Sequence, residues 1–237
     1  MADAYGRVML DAVRGFKTKY TIERDDGHIE PDDAESYVRP YEEWPEREHE
    51  ALRHVRGRVL DIGCGAGRVA VHLQQQGHEV TGIDISPGAV EAAELNGLKD
   101  ARVMSAEDLR FVDEEKYDTV LMFGNNFGIL GAGERTVKML KQIYEVTTDD
   151  ALILAESVDA EKTENPVHLA YHQWNRERGR PPGLVRIRVV YKDKKDQWLD
   201  LWLASPQEMT ECAEDAGWRF AKKIGENSLY IGVLKKK

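Results

Sequence analysis

Residues Arg58 to Ser86 read RVLDIGCGAGRVAVHLQQQGHEVTGIDIS, and the order of residue types along this stretch decides the fold. Arg58 to Ile62 is a short apolar run suited to a buried strand, and it leads straight into Gly63-Cys64-Gly65-Ala66-Gly67. From Val69 to Gln76 the apolar residues Val69, Ala70 and Leu73 recur at helical spacing, and Gly77 stands where a helix would stop. A second apolar run, Val80 to Ile85, carries Asp84 near its end. Glycines suit such a loop because tight turns demand positive φ and a side chain would block close approach of a ligand to the backbone. The helix that follows offers unpaired N–H groups and a partial positive charge. An acid about 20 residues on, at the tip of the next strand, can accept hydrogen bonds from ribose hydroxyls. The stretch therefore reads as half of a nucleoside-binding fold.

Two cofactor classes use that half-fold. The dinucleotide fingerprint G-x-G-x-x-G would need a glycine at position 68, and Arg68 stands there, which argues against a pyrophosphate packed on the loop. Asp61, two residues ahead of Gly63, suits a cationic amino acid end better than a diphosphate. S-adenosylmethionine (SAM) fits both features. VLDIGCGAGR, followed by GIDIS and by SAEDL, resembles the class I SAM-dependent methyltransferases.

The resemblance implies an α/β, Rossmann-like class I fold: a central, mostly parallel seven-stranded sheet with helices on both faces and an antiparallel C-terminal hairpin. It carries cofactor contacts onto Asp61, Gly63, Cys64, Gly65, Gly67, Asp84 and Ile85. Many relatives have an aspartate where Ser105 stands, so adenine recognition is expected from Ser105 less than from backbone groups around Ala106, helped by Glu107. The fourth motif of the family falls on Gly124-Asn125-Asn126, beside the donor methyl group; Gly124 then belongs to the cofactor, and Asn125 and Asn126 to the cofactor, to the substrate or simply to a turn.

Composition narrows the setting. The chain has 237 residues, enough for a sizeable core, and its net charge of -10 opposes broad, sequence-independent phosphate binding. Nucleic acid is not an expected partner. Two cysteines, Cys64 and Cys212, suggest no disulfide framework, so a reducing cytoplasm is the expected compartment. No apolar run approaches membrane-span length, so no membrane partner is expected. Oligomeric state is not readable from these features.

Taken in order, Ala2 to Tyr20 reads as an amphipathic helix with Phe16 toward its apolar side, and ERDDGHIEPDDAE reads as an acidic loop. Tyr37, Tyr41 and Trp44 gather around Pro40 and Pro45, and Glu46 to Val55 reads as a helix. By the resemblance residues 1–50 form a helical lid; the aromatics either touch substrate or anchor the segment on the core. The SAM-binding core is expected over 51–160, with strands at Ala101 to Met104, Tyr117 to Phe123 and Ala151 to Val158, and a helix from Glu134 to Val146. Glu156 is either a site acid or a residue at the core rim.

Residues 161–204 read as a substrate-covering insertion. It contains a short helix at His168 to Trp174, then a β-hairpin pairing Leu184 to Tyr191 with Gln197 to Leu203. Residues 205–237 should supply a helix and an antiparallel strand pair that complete the core sheet.

The expected reaction is in-line methyl transfer to an O or N atom of a small molecule, driven mainly by positioning. Tyr37, Tyr41, Trp44, Asn126, Tyr171, Trp174 and Arg186 are candidate substrate contacts. His168 and His172, four apart on one helical face, are candidate general bases, and Asn125 is a further catalytic candidate that would help enclose the substrate over the methyl group; with no HExxH or cysteine cluster beside the histidines, no metal is expected. Arg176, Arg178, Arg180, Arg186 and Arg188 point to an anionic substrate, or pair with the abundant acids of the chain itself. Protein or RNA methylation is the alternative function, and a SAM-binding module without turnover is a second.

Overall fold

The protein is described from a computed structural model covering residues 3–111 and 115–237, so Ala2 of the expected first helix lies outside the described residues. In chain order these residues form α1 (Ala4–Val13), β1 (Lys19–Arg24), β2 (Ile29–Asp33), α2 (Glu35–Val38), α3 (Glu46–Leu52), β3 (Val59–Ile62) and α4 (Arg68–Gln75). Next come β4 (Val80–Asp84), α5 (Pro87–Leu95), β5 (Ala101–Val103), β6 (Tyr117–Met122), α6 (Glu134–Glu145), β7 (Thr147–Val158) and α7 (Pro166–Arg176). The last elements are β8 (Leu184–Tyr191), β9 (Lys194–Lys195), β10 (Leu199–Trp202), α8 (Pro206–Asp215), β11 (Trp218–Ile224) and β12 (Leu229–Lys236).

Seven strands form one mixed sheet in the order β11-β12-β7-β6-β3-β4-β5, the expected α/β class. β3 pairs parallel with β4, β4 with β5, and β6 with β7, whereas β12 runs antiparallel to both β7 and β11. All four residues of β3 are buried, as a parallel strand covered on both faces requires. The chain divides into two compact units: residues up to Pro45 with Arg56–Asp108 and Arg186–Leu199, and Glu46–Val55 with Leu109–Val185 and Asp200–Lys237.

In the first unit, α1 is shorter than the apolar periodicity suggested. Gly15, at φ 85°, takes the left-handed conformation that ends a helix, and the Phe16 amide turns back to the Asp11 carbonyl at 3.0 Å. Phe16 is consequently 63% exposed instead of on the packed side. Val8, Met9 and Leu10 of α1 are buried, which stabilises by roughly 1.5–3 kcal/mol for each side chain.

The stretch read as an acidic loop is a strand pair. β1 and β2 run antiparallel with Ile22 opposite Glu30 and Thr21 opposite Pro31. β1 also pairs antiparallel with β8, Thr21 facing Val190 and Glu23 facing Arg188, within a second, five-stranded sheet made of β1, β2, β8, β9 and β10. All five residues of β2 are exposed, so no apolar alternation marks it, and Pro31 is tolerated because β2 is an edge strand. Val189 and Tyr191 of β8 pack in one cluster with Ala4, Val8 and Tyr20. Tyr191 and Lys192 hold the buried Asp11 of α1 at 3.0 and 2.7 Å.

In the second unit, β7 begins at Thr147, four residues earlier than the sequence suggested. The Thr147 hydroxyl donates to the Ile143 carbonyl at 2.6 Å, so the end of α6 and the start of β7 are tied without a separate loop. α3 stops at Leu52, and α7 extends over Pro166–Arg176 with the Asn165 side chain capping it by accepting from the Val167 amide. Ser205 and Glu208 form a reciprocal capping box at the start of α8. Trp218 is fully buried and donates from its indole to the Leu140 carbonyl at 3.1 Å, joining β11 to α6.

Candidate active site

In the first unit, the site grows from the turn that follows β3. Gly63, Gly65 and Gly67 have φ of 73°, 54° and 74°, a region that favours glycine. At Gly67 the space is also missing, since an added Cβ would lie 3.0 Å from the Ala93 Cβ. The Gly63 and Cys64 amides both donate to the Ile83 carbonyl, at 2.8 and 3.0 Å, so the loop is fastened to β4.

Asp84 ends β4. Its Oδ2 accepts from the Gly65 amide at 3.1 Å and its Oδ1 from the Ser86 amide at 2.9 Å. Burial raises its pKa above the ordinary carboxylate value, while the Ser86 and Gly65 amides pull the other way. Asp61 is 4% exposed; burial, and then the neighbouring charge of Asp84, push its pKa up to about 7 against a smaller pull from Arg68. Cys64 is buried, and that burial drives its thiol pKa well up, so it is an inert part of the loop.

These residues fit a nucleoside with a cationic tail. The Asp84 carboxylate meets the Gly65, Ser86 and Ile85 amides, and a carboxylate offers about four acceptor sites, so capacity for a hydroxyl donor remains. Ile85, the next residue, is an apolar side chain left 71% exposed, which a flat base would cover. The buried Asp61 and the half-buried Asp84 beside it, without a full counter-charge, favour a cation nearby.

α1 lies over this loop. Met9 Sδ comes within 3.3 Å of where a Gly65 Cβ would stand, and Met9 and Leu10 pack with Ala66, Ala89 and Ala92. Asp3 caps α1 by accepting from the Gly6 amide, and the same carboxylate accepts from the Ser86 hydroxyl at 2.7 Å and the Gly88 amide at 2.8 Å. One side chain thus fastens the start of α1 to the start of α5.

The aromatic candidates in this unit are engaged with protein. Tyr37 is hydrogen-bonded through its hydroxyl to Tyr5, and Tyr20 donates to Asp32 at 2.6 Å. The Tyr41 ring stacks on His72 at 4.1 Å; Trp44 packs edge-on against Tyr41 and His72, with Arg68 4.2 Å over its ring. That arrangement anchors the segment on α4. The Ser105 hydroxyl accepts from the Glu107 amide at 3.1 Å, which folds Ser105-Ala106-Glu107 into a turn.

In the second unit, Gly124 and Asn125 follow β6 with φ of 70° and 64°. Asn125 is therefore a non-glycine residue in the left-handed region, and its buried Oδ1 has no hydrogen-bond partner among the described residues. Asn126 opens a single helical turn ending at Gly128. Glu156, left open by the sequence, is a buried acid with two assigned oxygens: Oε2 accepts from the Gly124 amide at 2.6 Å and Oε1 from Arg47 Nε at 3.1 Å. Arg47 carried no signal in the sequence, although a carboxylate set in the apolar run ALILAES implies a cation somewhere nearby.

On α7, His172 is 5% exposed and Tyr171 2% exposed, while His168 is half-buried. Trp174 lies against Tyr171 and under Arg178, whose guanidinium is 3.5 Å from the ring centre. The arginine cluster is spread out: Arg180 meets Asp200 at 3.9 Å. In the first unit, Arg188 pairs with Glu23 at 2.6 Å and lies over Trp198, and the Arg186 carbonyl accepts from the Asp25 amide with its side chain exposed.

A family described as a methyltransferase domain matches residues 59–150. The chain is similar, at 28% identity and a TM-score of 0.80, to a SAM-dependent methyltransferase from Bacteroides fragilis solved with S-adenosyl-L-homocysteine (SAH); the match covers 99% of this chain and 95% of that one. Over 68 residues it is 41% identical to the ubiquinone biosynthesis O-methyltransferase of Xanthomonas oryzae pv. oryzae (strain PXO99A), covering 27% of this chain and 28% of that protein. The sugar N-methyltransferase KedS8 from Streptoalloteichus sp ATCC 53650 shares the fold at 16% identity and a TM-score of 0.53, over 81% of this chain and 85% of that one. The chain spans about half or less of the curated relatives it matches. With the glycine loop, the strand-end acid and the seven-stranded sheet in place, these matches support a SAM-dependent methyltransferase domain over residues 59–150.

Proposed function

We propose that this protein binds SAM and transfers its methyl group to an O or N atom of a small molecule. The observation that carries the reading is Asp84, half-buried at the end of β4, fixed by the Gly65 and Ser86 amides and followed by the exposed Ile85. Asp84 would accept from the ribose hydroxyls, Ile85 would pack on the base, and backbone groups at Ala106 would meet its amino edge. Asp61, once ionised, would attract the ammonium end. Bound there, the cofactor supplies a methyl group already activated by a positively charged sulfur.

The protein's own contribution is placement and exclusion of water. α1, roofing Gly65 with Met9, is the lid of this reading, and its Asp3 contact holds it closed. A general base is required only for acceptors that must lose a proton, and the half-buried His168 is then better placed to exchange protons than the buried His172. The O-methyltransferase relative supports a small-molecule acceptor.

The test is calorimetry with SAM and SAH, followed by incubation with methyl-labelled SAM and a cell extract separated into small molecules, RNA and protein. Micromolar binding with label in the small-molecule fraction is expected. Label in RNA or protein overturns the acceptor class, and absence of binding overturns the reading.

A further inference from the structure

The second unit contains an arginine whose charge is anchored but whose recognition edge is unspent. Arg47 Nε donates to Glu156 at 3.1 Å, and its two terminal nitrogens have no protein partner among the described residues. The side chain is 22% exposed, so part of it is open to a solute. Glu156, 5% exposed, also holds the Gly124 amide at 2.6 Å, so one carboxylate fixes the guanidinium and the turn together. The next residue in that turn is Asn125, held at φ 64° with a buried carboxamide oxygen lacking a partner.

Asparagine tolerates the left-handed turn, so the point of interest is its oxygen: an orphaned buried acceptor costs about 1–3 kcal/mol unless something donates to it. Arginine held by an acid through one nitrogen presents the remaining edge as a planar pair of donors, the shape that takes a carboxylate in two parallel hydrogen bonds.

We infer that Arg47 and Asn125 form the acceptor subsite, and that the substrate is a small organic acid bearing an N–H or O–H group. Its carboxylate meets the Arg47 fork, and its donor group meets Asn125 Oδ1. This rests on the methyltransferase reading and deepens it by naming the substrate class. It also moves anion recognition away from the arginines of residues 176–188, three of which meet Asp200, Glu23 or the Trp174 ring.

The test is calorimetry on protein saturated with SAH, titrated with three matched pairs: lactate and lactamide, anthranilate and anthranilamide, salicylate and salicylamide. At least one acid should bind about tenfold or more tightly than its amide, a difference of about 1.4 kcal/mol. Arg47→Met should erase that preference, Arg47→Lys should keep part of it, and Asn125→Ala should weaken acid and amide alike. Because Arg47→Met leaves Glu156 buried without its cation, the double variant Arg47→Met/Glu156→Gln serves as the folded control and should also show no preference. If SAH binds and no acid outperforms its amide, or if the preference survives Arg47→Met, this inference is overturned while the SAM reading stands. If SAH does not bind, both fall.

Discussion

Asp84 and Glu156 occupy matching places in the two units. Each is a carboxylate at or near the end of a core strand, and each accepts a backbone amide from a glycine turn: Gly65 at 3.1 Å in one case, Gly124 at 2.6 Å in the other. Their surroundings are opposite. Asp84 has amides for partners and Asp61 as a buried neighbour, so the acids of the first unit are pushed toward their protonated forms and ionise more readily when a cation arrives. Glu156 has Arg47, so the second unit neutralises its acid and turns a cation outward. The same local device, an acid bracing a glycine turn, therefore prepares one region for a cationic ligand with hydroxyl donors and the other for an anion.

Exchanging the roles of the two acids gives the largest expected effect. Asp84→Ala should weaken SAH binding by about a hundredfold or more, since hydrogen bonds to a charged group contribute about 1.5–3 kcal/mol each. Glu156→Ala should leave SAH binding within about threefold and instead lower the unfolding free energy in urea by about 2 kcal/mol, with the partly exposed Arg47 softening the cost of a broken pair. Equal losses of SAH affinity in the two variants would break the comparison.

The pH response of the first unit sharpens it. Asp61 has its folded-state pKa raised to about 7, above its ordinary value near 4, so the stability it contributes is fully present below about pH 4 and is lost as pH rises through 7. Without ligand, the melting temperature should fall between pH 5 and 8, and Asp61→Asn should flatten that fall. SAH affinity should move oppositely, rising by up to about tenfold per pH unit toward pH 7 as Asp61 ionises beside the ammonium. A wild-type affinity flat across this range would remove Asp61 from the site.

The smallest expected effect concerns the Asp3 bridge. Asp3→Ala removes the cap of α1 and its bonds to Ser86 and Gly88, which should cost about 1 kcal/mol in a thermal melt and weaken SAH by a few-fold. An unchanged SAH affinity would show that α1 does not act as a lid.

The contrast between the units also explains what could be read from the chain. The donor half was legible because its chemistry is local: three glycines with positive φ, a helix start at Ser86-Pro87 and an acid at a strand tip leave marks within 29 residues. The Arg47–Glu156 pair was not, because the partners are separated by 109 positions and Arg47 resembles any other helical arginine. The β1–β2 pair was hidden for a different reason. An edge strand with every residue exposed carries no alternation, and its Asp- and Pro-rich composition mimics a loop. The aromatics at Tyr41 and Trp44 were visible as a cluster, yet only the geometry shows them on His72 and Arg68.

The pairing of β1 with β8 sets a timetable for biosynthesis. Glu23 leaves the ribosome 165 residues ahead of Arg188, the residue it faces, a delay of roughly ten to thirty seconds at ordinary elongation rates. During that interval β1 has one flank without its native neighbour, and the lysine and acidic side chains along Lys19–Arg24 and Ile29–Asp33 discourage stray strand addition there. Replacing the exposed Lys19 and Glu30 with apolar residues would leave the finished fold little changed and make the nascent chain prone to aggregate before it is complete.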